Sequence, residues 1–120
     1  LWAKGALEKQ SPINVVDDQF RAPTLADDLA KGCILIGEKN ARGIYHLSGP
    51  ETISILEIVM RIGKFYGLKT ECVTPIKTST LNQTAARPPH TGFVIDKARR
   101  DLGYNPLTLE ESLTYLDKQI

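Results

Sequence analysis

Hydrophobic residues recur at helical spacing in five stretches of the chain. The first, residues 1–9, has no capping residue before it, so we interpret it as the tail of a helix and expect the chain to be a piece of a longer protein. The second begins at Thr24, whose hydroxyl is expected to cap it, and ends near Gly37. Its predicted buried stripe consists of Leu25, Leu29, Cys33 and Ile36.

The clearest capping signals surround a helix that follows Ser54. Ser54 and Glu57 have the spacing of a capping box, and Gly67 stands where a left-handed C-cap residue is needed. Between them, apolar residues lie three or four positions apart, as one helix face requires. They are Ile55, Val59, Ile62 and Tyr66.

Two shorter helices are predicted near the end of the chain. Asp96 is expected to cap a basic helix that runs to Leu102 and ends at Gly103. Thr108 and Glu111 form another capping box. The helix after it carries apolar residues on one face, namely Leu109, Leu113, Leu116 and Ile120.

Apolar runs that are too short for helices predict three strands. They cover residues 13–16, 43–47 and 71–76, the last interrupted by Pro75. Residues 93–95 predict a short extended piece, and residues 77–86 a loop or a single helical turn. Short strands interleaved with four or five helices indicate an α/β fold, or α+β for a fragment. Because no repeat or linker divides the chain, we expect one domain over residues 1–120.

Composition narrows the classes of partner. The chain has 120 residues, 42% of them hydrophobic and 24% charged, which is typical of a globular domain. Its net charge of +1 argues against a nucleic-acid or anionic-membrane partner. No apolar run reaches the roughly 20 residues that span a bilayer, and no signal peptide is evident, so we expect a cytoplasmic protein. Cys33 and Cys72 lack metal-ligand spacing and are expected to be buried, reduced thiols.

The common catalytic motifs are absent from this sequence. No two glycines lie two or three positions apart, which excludes the Gly-rich turns that bind dinucleotides, and no P-loop is present. There is no GxSxG motif, and no tyrosine is followed four positions later by lysine. His46 and His90 lack metal-ligand spacing. Taken alone, the sequence therefore predicts a binding lobe and not a catalytic domain.

Two arginines stand where a binding site could form. Arg21 lies in residues 17–24, where we expect a polar strand end to turn directly into a helix and to gather helix amides. The alternative is a solvated turn in which Arg21 pairs with Asp17 or Asp18. Arg87 precedes Pro88 in a proline-stiffened loop, where it is either an anion ligand or an ordinary surface arginine.

An ordered series of motifs resembles a known family across nearly the whole chain. The segments are VVDDQ (15–19), PT (23–24), DLA (28–30), GIYHLSG (43–49), Ser54 with Glu57, ARP (86–88), Lys97, and LG (102–103). Their order is similar to the C-terminal part of dTDP-4-dehydrorhamnose reductase-like proteins, which are extended short-chain dehydrogenase/reductases.

That resemblance implies that the N-terminal and C-terminal parts of the parent protein have different functions. In the family, an N-terminal Rossmann domain carries the Gly-rich NAD(P)H turn and the catalytic Tyr-x-x-x-Lys pair, and the C-terminal lobe covers the nucleotide-sugar. The chain would then be the substrate-binding lobe, inactive alone, with neither catalytic, cofactor-binding nor metal residues. By position, the resemblance places Arg87 near the substrate diphosphate and Arg21 beside it. The candidate substrate-binding residues are Gln19, Arg21, Arg87 and Pro88.

Three functions remain open at this point. The first is the substrate-binding portion of an NAD(P)H-dependent reductase that acts on a 4-keto deoxysugar nucleotide. The second is a non-catalytic regulatory subunit of the same fold, and the third is a nucleotide-sugar epimerase or dehydratase relative. The sequence around the tyrosine of the Rossmann half would discriminate between them.

Overall fold

Short helices and very short strands alternate along residues 2–119, the part of the chain that the structure, a computed structural model, describes. The elements are α1 (Trp2–Glu8), β1 (Ile13–Val16), β2 (Phe20–Arg21), α2 (Ala26–Glu38), β3 (Ile53–Ser54), α3 (Ile55–Tyr66), β4 (Val73–Ile76), a 3-10 helix (Thr78–Leu81), α4 (Asp96–Leu102) and α5 (Leu109–Asp117). Leu1 and Ile120, assigned above to the first and last helices, lie outside the described residues.

The elements group into two compact units, each made of two chain segments. The first unit comprises Leu1–Arg21 and Ile53–Thr91, and the second comprises Ala22–Thr52 and Gly92–Ile120. Every residue pair of the β-ladders lies within the first unit. All four candidate binding residues also belong to the first unit.

In the first unit, β1 and β4 pair in parallel, with Ile13 opposite Val73 and Val15 opposite Pro75. The strand predicted over residues 13–16 is therefore confirmed, and the one predicted over residues 71–76 is shorter, beginning at Val73. Pro75 fits because a two-stranded sheet leaves each strand with a free edge, so the missing N–H removes no ladder bond there.

A small apolar core covers one face of this sheet. Helix α1 contributes Ala3 and the fully buried Leu7, and these pack with Val15 of β1 and Val59 of α3. Ser54 caps α3 as predicted, since its Oγ accepts from Glu57 N at 3.0 Å, and the helix ends at Gly67 as predicted; the reciprocal Glu57 bond of a full capping box is not formed among the described residues. Gly67 has a φ of 65°, a left-handed conformation that glycine adopts at no steric cost.

The pair formed by β2 and β3 was not predicted. Phe20–Arg21 runs antiparallel to Ile53–Ser54, with Phe20 opposite Ser54. Two residues per strand are too few to show an alternating pattern, which explains why the sequence gives no signal. Because β2 intervenes and α2 begins only at Ala26, the prediction that the turn at Arg21 runs directly into a helix is wrong.

In the second unit, Thr24 does not cap α2. The N-cap residue is Leu25, without a side-chain hydrogen bond, and the helix extends past Gly37 to Glu38. The Thr24 hydroxyl instead accepts from Gly49 N at 2.8 Å and donates to a nearby carbonyl. A side chain at Gly49 would collide with the Pro23 carbonyl oxygen, so this close approach requires glycine.

The buried face of α2 differs from the predicted stripe. Leu29 and Cys33 are exposed, and Asp28 and Gly32 are buried instead. Asp28 is buried because its carboxylate accepts from the backbone N–H of Leu107 at 2.8 Å. A hydrophobicity pattern cannot reveal a face built from a carboxylate and a glycine. Both cysteines are free, but Cys33 is exposed and Cys72 is only partly buried, so the prediction of two buried thiols is wrong.

Residues 43–47 do not form the predicted strand. Their alternation has another cause: Tyr45 and Leu47 pack against the second core, whereas Ile44 and His46 are exposed. That core consists of Ile95, Ala98, Leu102 and Tyr104. The extended piece expected over residues 93–95 is likewise irregular, although Ile95 is buried.

The two C-terminal helices follow the predicted pattern with one exception. Asp96 is the first helical residue of α4 and makes no capping hydrogen bond; Ile95 occupies the N-cap position. Gly103 ends α4 with a φ of 68°, as predicted. The capping box of Thr108 and Glu111 at the start of α5 is complete.

Candidate functional site

The carboxyl ends of β1 and β4 place polar residues side by side in the first unit. Asp17 and Asp18 follow β1, and Lys77 and Thr78 follow β4. The ammonium of Lys77 lies 2.8 Å from Asp17 Oδ1. Hydrogen bonding to Asp17, together with the charge of that carboxylate, raises the pKa of Lys77. Neither aspartate pairs with Arg21 in a solvated turn, so that alternative is wrong.

Asp18 binds the start of the 3-10 helix. Thr78 Oγ1 donates to Asp18 Oδ1 at 2.6 Å, and Thr78 N lies 3.0 and 3.1 Å from the two carboxylate oxygens. The hydroxyl donor, followed by the backbone donor, holds the pKa of Asp18 below its ordinary value of 3.8. The charged carboxylate therefore fixes the first residue of the Thr78–Leu81 turn.

Gln19 is buried and uses both ends of its amide. Its Nε2 donates to Thr78 Oγ1 at 3.1 Å, and its Oε1 accepts from Arg21 Nη2 at 3.0 Å. Its backbone carbonyl accepts from Ile55 N at 3.0 Å, at the start of α3. With 5% of its surface exposed, Gln19 links its neighbours and offers little surface to a ligand.

Arg21 reaches the proline loop. Its Nη1 donates to Pro88 O at 3.1 Å and to Phe20 O at 2.7 Å. The backbone reinforces this contact, because Phe20 N donates to Pro89 O at 2.7 Å and its carbonyl accepts from Thr91 N at 3.1 Å. The structure thus brings together three of the predicted residues, Gln19, Arg21 and Pro88.

The fourth predicted residue, Arg87, lies on a polar groove of about 260 Å³. Hydroxyl and amide side chains line the groove together with small residues. The lining residues are Thr78, Ser79, Asn82, Gln83, Ala85, Ala86 and Arg87. Arg87 is exposed and forms no hydrogen bond or ion pair with any residue between positions 2 and 119.

The sequence alone did not identify Asp18 and Thr78, the two residues that join the carboxyl ends of β1 and β4. They lie 60 positions apart, and only the parallel pairing of β1 with β4 makes them neighbours. The carboxyl ends of adjacent parallel strands meet at one edge of a sheet, so a prediction of that pairing would have found them. The groove residues Asn82 and Gln83 carry no motif, and no signal in the sequence singles them out.

A model of the RmlD substrate binding domain family matches residues 3–119. The chain belongs to this family. The resemblance and the mixed α/β fold class predicted from the sequence are thereby confirmed. No curated protein sequence matches the chain.

Solved structures agree with the family assignment. The dTDP-4-dehydrorhamnose reductase of Bacillus anthracis, in complex with NADP, aligns with a TM-score of 0.84 and 25% identity over 99% of this chain. The corresponding protein of Clostridium acetobutylicum aligns with a TM-score of 0.85 and 23% identity over 98% of this chain. The chain spans 42% of the length of each of these two reductases.

A more distant similarity connects the chain with other nucleotide-sugar enzymes. The UDP-glucuronic acid 4-epimerase of Bacillus cereus, in complex with NAD, aligns with a TM-score of 0.64 and 25% identity. It covers 92% of this chain, and the chain spans 33% of its length.

Within the described part of the chain, no helix is long and apolar enough to cross a membrane. Residues 2–119 also contain no group of three or more His, Cys, Asp or Glu side chains that could hold a metal ion.

Proposed function

We propose that this chain is the sugar-nucleotide-binding portion of an NAD(P)H-dependent reductase that acts on a 4-keto deoxysugar nucleotide. Arg87 binds the diphosphate of the substrate in the polar groove, and Gln19, Arg21 and Pro88 form the structure around it. The family assignment and the similarity to dTDP-4-dehydrorhamnose reductases support the substrate class.

The observation that carries the proposal is the guanidinium of Arg87, which has no partner among residues 2–119 and lies on a groove rich in hydroxyl and amide groups. A diphosphate offers closely spaced anionic oxygens, and a planar guanidinium binds two of them at once. Ser79, Asn82 and Gln83 line the same groove and supply neutral donors. Segment 82–89 contains no acidic residue that would compete for the arginine or repel the ligand.

In this proposal the nicotinamide cofactor is bound by another part of the parent protein. The similar reductase of Bacillus anthracis was solved in complex with NADP, and the similar epimerase of Bacillus cereus in complex with NAD. The chain offers no Gly-rich turn for a pyrophosphate and no Tyr-x-x-x-Lys pair for proton transfer. We therefore assign the cofactor and both transferred hydrogens to an N-terminal Rossmann half of the parent protein, and only substrate binding to residues 1–120.

Two other functions use the same lobe. An epimerase or dehydratase relative is the first alternative; the TM-score of 0.64 for the Bacillus cereus epimerase, against 0.84 and 0.85 for the two reductases, supports the reductase. A regulatory subunit of the same fold would keep the groove and lack the catalytic tyrosine and lysine. Sequencing the gene upstream of residue 1 decides between a catalytic and a regulatory parent.

Calorimetric titration of the purified chain with dTDP tests the binding role. We expect saturable binding that Arg87→Lys weakens on the order of 10-fold, because a lysine keeps the charge and loses the two-pronged contact. The matched control is Arg42→Lys, an exposed arginine in the second unit, which should bind dTDP as the unaltered chain does. Absence of saturable binding, or equal affinity of the Arg87→Lys chain, would contradict the proposal.

A further inference from the structure

We propose that Arg21 is a positioning residue and no ligand of the substrate: it holds the loop that presents Arg87 at a fixed distance from the opposite side of the groove. This inference rests on the proposed function, since it concerns the same groove. The juxtaposition that carries it is a continuous line of hydrogen bonds through Asp18, Thr78, Gln19, Arg21 and the carbonyl of Pro88.

The two ends of this line lie on different segments that border the groove. Thr78 lines the groove directly and begins the 3-10 helix. Pro88 immediately follows Arg87, the lining residue at the other end of the groove segment. Gln19 and Arg21 connect the two, so the line of hydrogen bonds joins both borders of the groove. We call these five residues the polar relay.

The backbone alone does not fix this part of the loop. The hydrogen bonds of Phe20 reach Pro89 and Thr91, and the Phe20 ring stacks on His90 with centroids 4.5 Å apart. All of these contacts lie beyond Pro88. Proline has no N–H, so its carbonyl is the only backbone group through which Pro88 can be held, and Arg21 donates to it.

The side-chain types of Arg21 and Gln19, in the middle of the polar relay, suit the connection of the two borders of the groove. Arg21 donates to Gln19 Oε1 through Nη2 and to Pro88 O through Nη1. The planar guanidinium holds these two nitrogens at a fixed distance, which the single ammonium of a lysine cannot do. Gln19 accepts from Arg21 and donates to Thr78 at the same time. A glutamate would keep the acceptor and lose the donor, whereas an amide provides both.

Three of the five N–H donors of Arg21, both of those on Nη1 and one on Nη2, are used by protein acceptors within the first unit. Binding a diphosphate through the Nη1–Nη2 edge would break at least one of these bonds, and loss of the Nη2 bond would leave the Gln19 amide oxygen, at a 5% exposed residue, without its donor. In this inference the ligand-binding arginine is Arg87, whose guanidinium has no acceptor among the described residues, and Arg21 acts on the substrate through the loop.

The test combines dTDP affinity with backbone dynamics of the ligand-free chain. In the Arg21→Lys chain we expect the ¹⁵N order parameters of Ala86 and Arg87 to fall, and dTDP to bind about 3- to 10-fold more weakly. Gln19→Glu should give a smaller change of the same kind. The double variant should bind dTDP within about 2-fold of Arg21→Lys, because both changes interrupt one relay. Arg42→Lys is the control for both measurements.

The two readouts separate this inference from the proposed function. If the unaltered chain does not bind dTDP, the proposed function fails, and the order parameters still test whether the relay holds the loop. If Arg21→Lys weakens dTDP binding and leaves the order parameters unchanged, Arg21 is a direct ligand and the inference is overturned. Lower order parameters with unchanged dTDP affinity would overturn it as well.

Discussion

The two arginines of the candidate site have opposite surroundings. Arg21 is half-buried at the end of a short strand and makes three hydrogen bonds, all to acceptors of the protein. Arg87 is exposed on a loop and makes none with the described residues. The same side chain therefore serves as framework in one segment and is free for an anion in the other. Hydrogen-bond satisfaction distinguishes the two roles, and residue type does not.

The segments also differ in their charges. Residues 17–21 contain two aspartates, and both are occupied: Asp17 by the ammonium of Lys77 and Asp18 by Thr78. Segment 82–89 contains one charge, that of Arg87. An anion that approaches this loop meets the Arg87 cation and no carboxylate of the same segment, while the Asp18 carboxylate across the groove is bonded to Thr78. The comparison predicts that changes in the first segment alter folding, and alter binding only through the loop, whereas a change of Arg87 alters binding and leaves folding intact.

The largest effect on stability is expected for Gln19→Met. Methionine has a similar shape and lacks the amide, so the Arg21 guanidinium and the Thr78 hydroxyl each lose a partner at a buried position. We expect the free energy of unfolding to fall by about 1–3 kcal/mol in chemical denaturation.

Gln83→Met is the matched control in the other segment. Gln83 is exposed on the groove loop, so the same substitution should change the free energy of unfolding by less than about 0.5 kcal/mol. Equal destabilisation by the two methionine variants would remove the distinction between a framework segment and a binding segment.

A smaller effect is expected for Thr78→Val, which replaces a hydroxyl by a methyl group of similar size. The pKa of Asp18 is lowered first of all by the Thr78 hydroxyl, so this substitution should raise that pKa toward 3.8. Carboxyl ¹³C chemical shifts followed during an acid titration measure it directly. Thr80→Val, on an exposed residue of the same turn, should leave the pKa of Asp18 unchanged.

The sign of the pH dependence follows from the lowered pKa. Because the folded pKa of Asp18 lies below its ordinary value, the contribution of this carboxylate to stability is present above about pH 3.8 and is lost as the pH falls through the folded pKa. In the Thr78→Val chain that contribution should be smaller. The free energy of unfolding should therefore fall less when the pH is lowered through the folded pKa of Asp18. A steeper acid dependence in the variant would show that Thr78 is not the main partner of Asp18.

The sequence predicts the fold best where local chemistry decides the structure. The Ser54 cap, the Gly67 and Gly103 helix ends and the capping box at Thr108 all depend on residues within a few positions, and all are present. Predictions fail where a distant partner decides. Thr24 bonds Gly49 and not its own helix, and Asp28 is buried because Leu107 donates to it from 79 positions away.

The candidate site shows the same dependence on distance. Arg21 and Arg87 can be singled out as residue types near a turn and a proline, but their different roles depend on contacts that span 59 to 67 positions. Local patterns do not contain the parallel pairing of β1 with β4 or the two-residue strand β2. The sequence pattern thus identifies the charged residues, but it does not show which of them form hydrogen bonds within the folded protein.

The smallest effect on stability is expected for Arg87→Lys, and this result would complete the contrast with Gln19. Arg87 has no partner among the described residues, so lysine breaks no hydrogen bond and leaves the net charge unchanged. The free energy of unfolding should stay within about 0.5 kcal/mol of that of the unaltered chain, although dTDP affinity drops. Thermal unfolding of the ligand-free chain, followed by circular dichroism, measures the first quantity. A clear destabilisation would mean that Arg87 supports the loop as Arg21 does, and the proposed division between a framework arginine and a binding arginine would then be wrong.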